Sequence, residues 1–298
     1  MSYYRGTVTR AFLQQLAAAL PPGSVVGDPS ELLIYESDAL VHLRSTPGAV
    51  LLPGSAAEVQ TIVRLCHAHG VPFVARGHGT GLSGGALPHP DGVLIVLSRM
   101  NRILEVDIPN QRVVVEPGVT NLEITKHVSP HGSYYAPDPS SQSVCSIGGN
   151  IAENSGGLRC VKYGVTRDYV LGLEVVLADG SVIRTGGKTV KDVMGYDLTG
   201  LIVGSEGTLG IVTEATLRLL PMPPPKTTLL AFFPGIREAG AAVAAITRAG
   251  VVPVTLELMD RHTMTAVERA LALGLDPDAG AMLMIESDAG GAVAEAEM

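Results

Sequence analysis

Two prolines decide what the glycine-rich segment RGHGTGLSGG at 76–85 can be. Residues 79–84 spell G-x-G-x-x-G, a pattern that opens a nicotinamide-binding βαβ unit only when a helix comes next, its free N–H groups facing the pyrophosphate. The next residues here are ALPHPDG, and Pro88 and Pro90 deny a helix interior. The chain passes from a strand at 71–75 through the glycines to another strand at 93–97. The acidic residue expected at a strand end about 20 positions on is missing, because Glu105 falls inside a hairpin. Gly187-Lys188-Thr189 imitates the end of a P-loop but lacks its first glycine, whose place is taken by Val182. A loop with five glycines that returns directly to a sheet can instead gather backbone N–H groups around an anion. Taken alone it also reads as a surface hairpin. SIGGNIAENSGG at 146–157 and VGSEGTLG at 203–210 repeat the small-residue pattern between strands. Three such loops in one domain fit one extended ligand with phosphates, sugar and a flat ring.

The length of 298 residues suits two domains. No run reaches the roughly 18 apolar residues of a membrane-spanning helix. The nearest approach to a signal sequence, AFLQQLAAAL at 11–20, is split by Gln14-Gln15 and reads as a surface helix. A net charge of −8 argues against nucleic acid and leaves room for one anionic cofactor held by backbone donors. The three cysteines, Cys66, Cys145 and Cys160, form no C-x-x-C pair, so a disulfide framework is not expected, and they are too few for a four-thiolate iron–sulfur cluster. The expected compartment is the cytoplasm, with peripheral attachment at the inner membrane as its variant. Cys66, His67 and His69 share a helical turn, but i and i+2 point to different faces, so no metal site is expected. Asp179 and Asp197 read as turn residues.

The pattern predicts an acidic linker at 28–38, a strand at 49–52, and a helix at 55–70 with Ser55 and Glu58 as a capping box and Gly70 closing it. A hairpin over 103–115 and a helix at 120–128, boxed by Thr120 and Glu123, come next. Residues 131–157 read as loop. A second hairpin over 172–185 has a type I′ signal at Asp179-Gly180, and a strand at 211–220 leads to Pro221, Pro223, Pro224 and Pro225. Beyond them the order is β-α-β-α-β, with a further helix from 292.

These segments carry a resemblance. RGHGTGLSGG, APDPSSQSVCSIGGNIAENSGG, KYGVTRDYVLGLEVVLADG, KDVMGYDLTGLIVGSEGTLGIVTEATLRL and LELMDRHTM, in this order, resemble FAD-linked oxidases of the vanillyl-alcohol-oxidase and p-cresol-methylhydroxylase (PCMH) type. The nearest branch is the one that oxidises glycolate and D-lactate. The resemblance implies an α+β fold: an N-terminal helix and linker at 1–45, a PCMH-type FAD-binding domain of two subdomains at 46–222, and a partial α+β substrate (cap) domain at 226–298. It places Arg76, Gly77, His78, Gly79, Thr80, Gly81, Leu82, Ser83 and Gly84 in a pyrophosphate loop. Pro137, Asp138, Ser141, Ser146, Ile147, Gly148, Gly149, Asn150, Ala152 and Asn154 fall along the ribityl chain and flavin, closed by Gly156 and Gly157. Gly204, Glu206, Gly207, Ile211 and Val212 fall on the adenosine side, Pro117-Gly118 makes a further contact, and residues 191–198 lie near the isoalloxazine edge.

The implied activity is hydride transfer from a small 2-hydroxy acid, glycolate or D-lactate, to FAD, with an iron–sulfur partner subunit taking the electrons. An oxidase using dioxygen is a lesser alternative. A non-catalytic FAD-binding subunit or inactive fragment is the alternative from another class. Catalytic residues are not assigned. Some family members link flavin covalently through a loop histidine, but the register of His78 differs, so a hydrogen-bonding imidazole is expected. Family members run longer, and their histidine-rich metal and substrate motif falls beyond position 298. The expectation is a chain that binds flavin, turns over 2-hydroxy acids poorly, and leaves the cap-sheet face of Leu229, Ala231, Leu256 and Leu283 uncovered.

Overall fold

A computed structural model describes residues 7–189 and 191–297. The chain forms two compact units, the first built from residues up to 135 with 141–155 and 166–221, the second from 136–140, 156–165 and 222 onward. The fold is mixed helix and sheet, as the resemblance implies. The second unit thus takes two short segments from the middle of the chain as well as its C-terminal part.

The first unit begins with α1 (Arg10–Ala19), β1 (Val25–Val26), α2 (Pro29–Leu32), β2 (Ala49–Leu51), α3 (Ala56–His69), β3 (Phe73–Arg76) and β4 (Val93–Val96). The sheet order is β1-β2-β4-β3, with β4 parallel to both β2 and β3 and β1 antiparallel to β2. All four residues of β4 are buried, as befits a central parallel strand covered on both faces. The ends of α3 come from local chemistry. Ser55 Oγ accepts from the Glu58 N–H at 3.3 Å, while Glu58 accepts from the Ser55 hydroxyl and the Gly54 N–H. Gly70 closes the helix at φ +63°, and the Val71 N–H reaches the Cys66 carbonyl at 2.9 Å. Val59, Ile62, Val63 and Cys66 then pack with Phe12, Leu16, Leu51, Val93 and Ile95 in one core. Each such buried aliphatic side chain contributes roughly 1.5–3 kcal/mol. Burial raises the Cys66 thiol to about 12.

The chain continues through β5 (Ile103–Asp107), β6 (Arg112–Val115), α4 (Asn121–Val128), β7 (Ser133–Tyr134), α5 (Ile147–Glu153), α6 (Cys160–Tyr163), β8 (Val170–Val176), β9 (Val182–Gly186), α7 (Leu198–Ile202), β10 (Ile211–Arg218) and β11 (Leu220–Pro221). An antiparallel sheet runs β5-β6-β10-β8-β9, with Ala215 of β10 opposite both Val115 and Leu173.

Four local expectations are corrected. Residues 28–38 hold α2 and a further helical turn, because Asp28 caps Ser30 and Pro29 suits a first helical position. Thr120 makes no side-chain cap; the Leu122 N–H goes to the Gln142 carbonyl and the Glu123 N–H to the Thr120 backbone carbonyl instead. Within 131–157 lies α5, capped at Ser146 and closed at Asn154. The turn at Asp179-Gly180 is a three-residue loop between Leu177 and Ser181, with Gly180 alone at positive φ (+80°), so it is not type I′.

The second unit holds α6 together with β12 (Thr227–Phe233), α8 (Ile236–Arg248), β13 (Thr255–Asp260), α9 (Arg261–Leu271), β14 (Ala281–Ser287) and α10 (Gly291–Glu297). The β-α-β-α-β order is as predicted. β14 lies antiparallel between β12 and β13. The face expected to be bare is covered: Ala239, Ala242, Val243 and Ile246 of α8 pack on Phe233, Ala281, Leu283, Ile285 and Leu256. Leu283 is buried, and of the four residues named only Leu229 is exposed. The amphipathic stripe of α8 comes directly after β12 and supplies the cover. Met264 of α9 packs with Met259 and Met282 in a second cluster. Asp288, buried, receives the Lys162 ammonium and, at 2.5 Å, the Tyr163 hydroxyl, which ties α6 into this unit. Burial alone raises the Asp288 carboxyl; those two donors bring it below its ordinary value.

Candidate cofactor-binding cleft

The first unit contains an open cleft. It is lined by β3 and the loop after it, by Ser141, by α5 and its flanks, and by residues 202–212. The three small-residue loops singled out in the sequence therefore converge.

The geometry is built around α5. Ser146 Oγ accepts from the Gly149 N–H at 3.3 Å, and Asn154 ends the helix at φ +52°. The carbonyls of Ile151 and Ala152 at the helix end accept from the N–H groups of Gly204 and Glu206, both at 2.9 Å. This brace bends the 203–207 loop through left-handed backbone at Gly204 (+84°), Glu206 (+53°) and Gly207 (+74°). For a glutamate that conformation costs about 1 kcal/mol. Helical spacing puts Asn150 and Glu153 on one face of α5, and both line the cleft. Asn150 is 3% exposed, and its Nδ2 has no hydrogen-bond partner. A buried donor left unmade costs roughly 1–3 kcal/mol, so this atom is set for a ligand or water acceptor.

The glycine loop is held from behind. The Arg76 guanidinium occupies the space that a side chain on Gly79 (φ +68°) would need, and its Nη1 donates to the carbonyls of Ser37 at 2.7 Å and Ala86 at 3.4 Å. Burial lowers the Arg76 guanidinium, opposed by the nearby Asp38 carboxylate. His78 Nδ1 lies 2.7 Å from the Val144 carbonyl, the hydrogen-bonding imidazole expected from the sequence. Facing the loop across the cleft are two carboxylates. Glu153 Oε1 and Glu206 Oε2 each lie 3.4 Å from where a Gly85 Cβ would stand. Partial burial, then the charge of Glu206, raise the Glu153 carboxyl above its ordinary value.

Of the residues named from the sequence, Arg76, Gly77, His78, Gly79, Thr80, Gly81, Ser141, Ser146, Gly148, Gly149, Asn150, Ala152, Glu206, Gly207, Ile211 and Val212 line the cleft. Leu82, Ser83 and Gly84 lie further along the loop. Leu82 is exposed, and Ser83 Oγ donates to Glu153 at 3.4 Å. Pro117 and Gly118 back α5: the Gly148 N–H donates to the Pro117 carbonyl, and the Gly118 N–H to the Met100 carbonyl. Ile147 is buried in the helix, and Gly204 and Asn154 serve the brace and cap. Pro137, Asp138, Gly156 and Gly157 belong to the second unit, where Asp138 pairs with Arg159. Burial, the largest cause, leaves the Asp138 carboxyl above its ordinary value despite that pairing. In the 191–198 segment Val193, Met194 and Tyr196 are exposed. Cys66 is buried while His67 and His69 are exposed; Asp179 makes the expected turn bond to Ser181, whereas Asp197, read as a turn residue, caps α7 through the Gly200 N–H.

Sequence reasoning missed Glu153, Gly85, Ser155, Ser205 and the apolar Leu97 and Ile202. Glu153 was legible: reading Ser146 as a cap and Asn154 as a left-handed close makes IGGNIAE a helix with Asn150 and Glu153 on one face.

Comparisons with known proteins place the chain in a family. Residues 47–186 match the family described as FAD binding domain, and residues 222–298 that described as FAD linked oxidases, C-terminal domain. Glycolate oxidase subunit GlcD of Bacillus subtilis is 48% identical over 281 residues, 94% of this chain and 60% of that protein. D-lactate dehydrogenase of Archaeoglobus fulgidus is 39% identical over 235 residues, 78% of this chain and 52% of that protein. The chain thus spans little more than half the length of these relatives. Among solved structures, p-cresol methylhydroxylase superposes with a TM-score of 0.78 at 19% identity, over 97% of this chain and 63% of that one, which shows a shared fold.

Proposed function

The chain belongs to the FAD-linked oxidases, and from that premise we propose that it forms the flavin-holding part of an enzyme oxidising a small 2-hydroxy acid, glycolate or D-lactate, to the 2-oxo acid. The observation that carries the reading is the unpartnered Asn150 donor in a cleft where glycine-rich backbone, small polar side chains and an apolar wall meet. These residues fit FAD. The glycine-rich backbone at 77–80, away from the two carboxylates beside Gly81 and Gly85, can gather N–H groups around an anion as a nest does. Leu97, Ile202, Ile211 and Val212 offer an apolar wall for a flat ring and exclude water from it. Asn150 Nδ2 donates to an acceptor of the cofactor, and Ser146 stays engaged as the helix cap.

When bound, FAD supplies the hydride acceptor, and the protein supplies orientation and electrostatics. His78 keeps its proton at Nδ1 toward the Val144 carbonyl, which pins the glycine loop to the 141–145 turn. The Bacillus relative is named a subunit. An iron–sulfur partner that accepts the electrons is part of this proposal, since three separate cysteines cannot hold a four-thiolate cluster. Among the described residues no helix is long and apolar enough to cross a membrane. A cytoplasmic location with peripheral membrane contact completes the reading.

The test is reconstitution of the whole chain with FAD, then gel filtration, then addition of glycolate or D-lactate with an artificial acceptor dye. One FAD is expected to co-elute per chain, released intact by acid, and substrate is expected to bleach it only slowly, in keeping with poor turnover by this chain. A chain that takes up NAD and no flavin overturns the cofactor assignment. Flavin binding with no response to either acid overturns the substrate assignment.

A further inference from the structure

Glu153 and Glu206 pose an electrostatic problem for any phosphate-bearing ligand. Their oxygens converge on one point beside Gly85, and Glu153 Oε1 also lies 3.4 Å from the position a Gly81 Cβ would take. A phosphate placed there meets two like charges within a few ångströms, and the half-buried Arg76 close by is committed to the carbonyls of Ser37 and Ala86. The pair therefore faces a part of the ligand that is neutral and donates hydrogen bonds. Asn150, one turn earlier on the same face of α5, independently calls for a ligand, being 3% exposed with its Nδ2 unsatisfied.

FAD offers few neutral donors. Its flavin N–H sits between two carbonyls and its adenine amino group between ring nitrogens, and those flanking acceptors repel a carboxylate. Two converging carboxylates need two donors close together, which a vicinal pair of sugar hydroxyls presents. A hydroxyl oxygen also accepts, which answers Asn150. An acidic side chain on ribose hydroxyls is the solution other dinucleotide sites use.

Building on the FAD reading above, we infer that Glu153 and Glu206 together grip a vicinal diol of the cofactor's sugar portion, with Asn150 donating to the same stretch, and that this grip sets which flavin nucleotide the cleft accepts. Ser83 completes the arrangement by orienting Glu153 from the loop side. The diol belongs either to the adenosine ribose or to the ribityl chain, and the chemistry is shared.

The experiment measures dissociation constants of the reconstituted full chain and of Glu153→Gln, Glu206→Gln and Glu123→Gln, the last an exposed glutamate on α4. Three probes are compared: FAD, FAD lacking the adenosine 2′-hydroxyl, and FAD lacking a ribityl hydroxyl. Circular dichroism of each apoprotein confirms folding. Both cleft variants are expected to lose about tenfold in FAD affinity, the loss of a hydrogen bond to a charged group, with Glu123→Gln unchanged. One deoxy analogue is expected to bind the parent protein correspondingly weakly and the variants no worse than FAD, and which analogue does so identifies the sugar. Variants that bind FAD as tightly as the parent, or more tightly, overturn the grip and leave the carboxylates as mere repulsion. Full discrimination of the deoxy analogues retained in the variants overturns it too. A parent protein that binds no FAD overturns the underlying reading as well, so the two failures are distinguishable.

Discussion

The glycines of the 77–85 loop and those behind α5 look alike in sequence and differ in what stands where a side chain would go. A Cβ on Gly118 would lie 2.5 Å from the Leu97 carbonyl and 2.7 Å from that of Met100, and one on Gly148 would lie 2.6 Å from Pro117. At Gly81 the nearest atom is a carboxylate oxygen at 3.4 Å, and at Gly207 nothing lies within 4 Å. The first pair is glycine because the protein's own backbone is there. The second is open space at a cleft: a φ of +74° accounts for Gly207, but nothing in the protein alone accounts for Gly81. Composition cannot separate these two reasons; geometry can.

The comparison is sharpest at its largest effect. Gly118→Val forces a branched side chain into backbone carbonyls, and a loss of about 3 kcal/mol or more in unfolding free energy is expected by denaturant titration. A Gly118→Val protein as stable as the parent breaks the packing half of the argument. Gly84→Ala is next. Its φ of +80° strains any side chain, although the nearest atom, Leu87 Cδ1, is 3.4 Å away, and a loss of about 1 kcal/mol is expected. Gly81 lacks a positive φ, so backbone conformation does not require glycine there, and ligand approach is the reason that remains. Gly81→Val is therefore expected to change stability by no more than about 0.5 kcal/mol, as at an unconstrained surface site, while weakening FAD binding about tenfold. Substantial unfolding of this variant would make the two glycine classes one.

A smaller effect lies in pH. The Glu153 carboxyl is raised in the folded protein by partial burial, by Glu206 and, further down, by Asp38, with the Ser83 hydroxyl opposing. A raised carboxyl contributes its stability below its unfolded value, and that contribution is lost as pH rises through the folded value. The Glu153→Gln apoprotein is expected to lose this decline, so its melting temperature gains on the parent's from acid toward neutral pH. Parallel curves would show that neither burial nor the charge of Glu206 raises the Glu153 carboxyl in the folded protein. The smallest effect is chemical: Cys66, buried and raised to about 12, is expected to resist alkylation under native conditions while the half-buried Cys160 reacts first, as peptide mapping would show.

Much of the fold was legible because its signals are local. The Ser55 cap, the Gly70 close and the apolar spacing of α3 act within a few residues of one another, and the structure obeys them. The β-α-β-α-β order after Pro225 was legible for the same reason. Local reasoning failed where a tertiary partner outbid a local one. Thr120 forgoes its cap where it bridges Ser146 and the Leu122 N–H goes to Gln142, both far along the chain. IGGNIAE, poor in helix formers, is helical because Ser146 and Asn154 cap it and the 203–207 loop satisfies its last carbonyls. The α8 cover over Leu283 was hidden for a related reason, since a strand's partner face depends on which way the next helix turns back.

By itself, then, the sequence determined that the glycine loop is no Rossmann turn, since Pro88 and Pro90 act on their own backbone whatever surrounds them. It determined equally that three small-residue loops need a common cause. Only the tertiary structure decided that they share one cleft, because that depends on β10 pairing with both β6 and β8 and on the α5 carbonyls holding the 203–207 loop. Only the tertiary structure, too, set Glu153 and Glu206 against the same point: helix phase fixed one, left-handed backbone the other, and no spacing along the chain records where two such carboxylates meet.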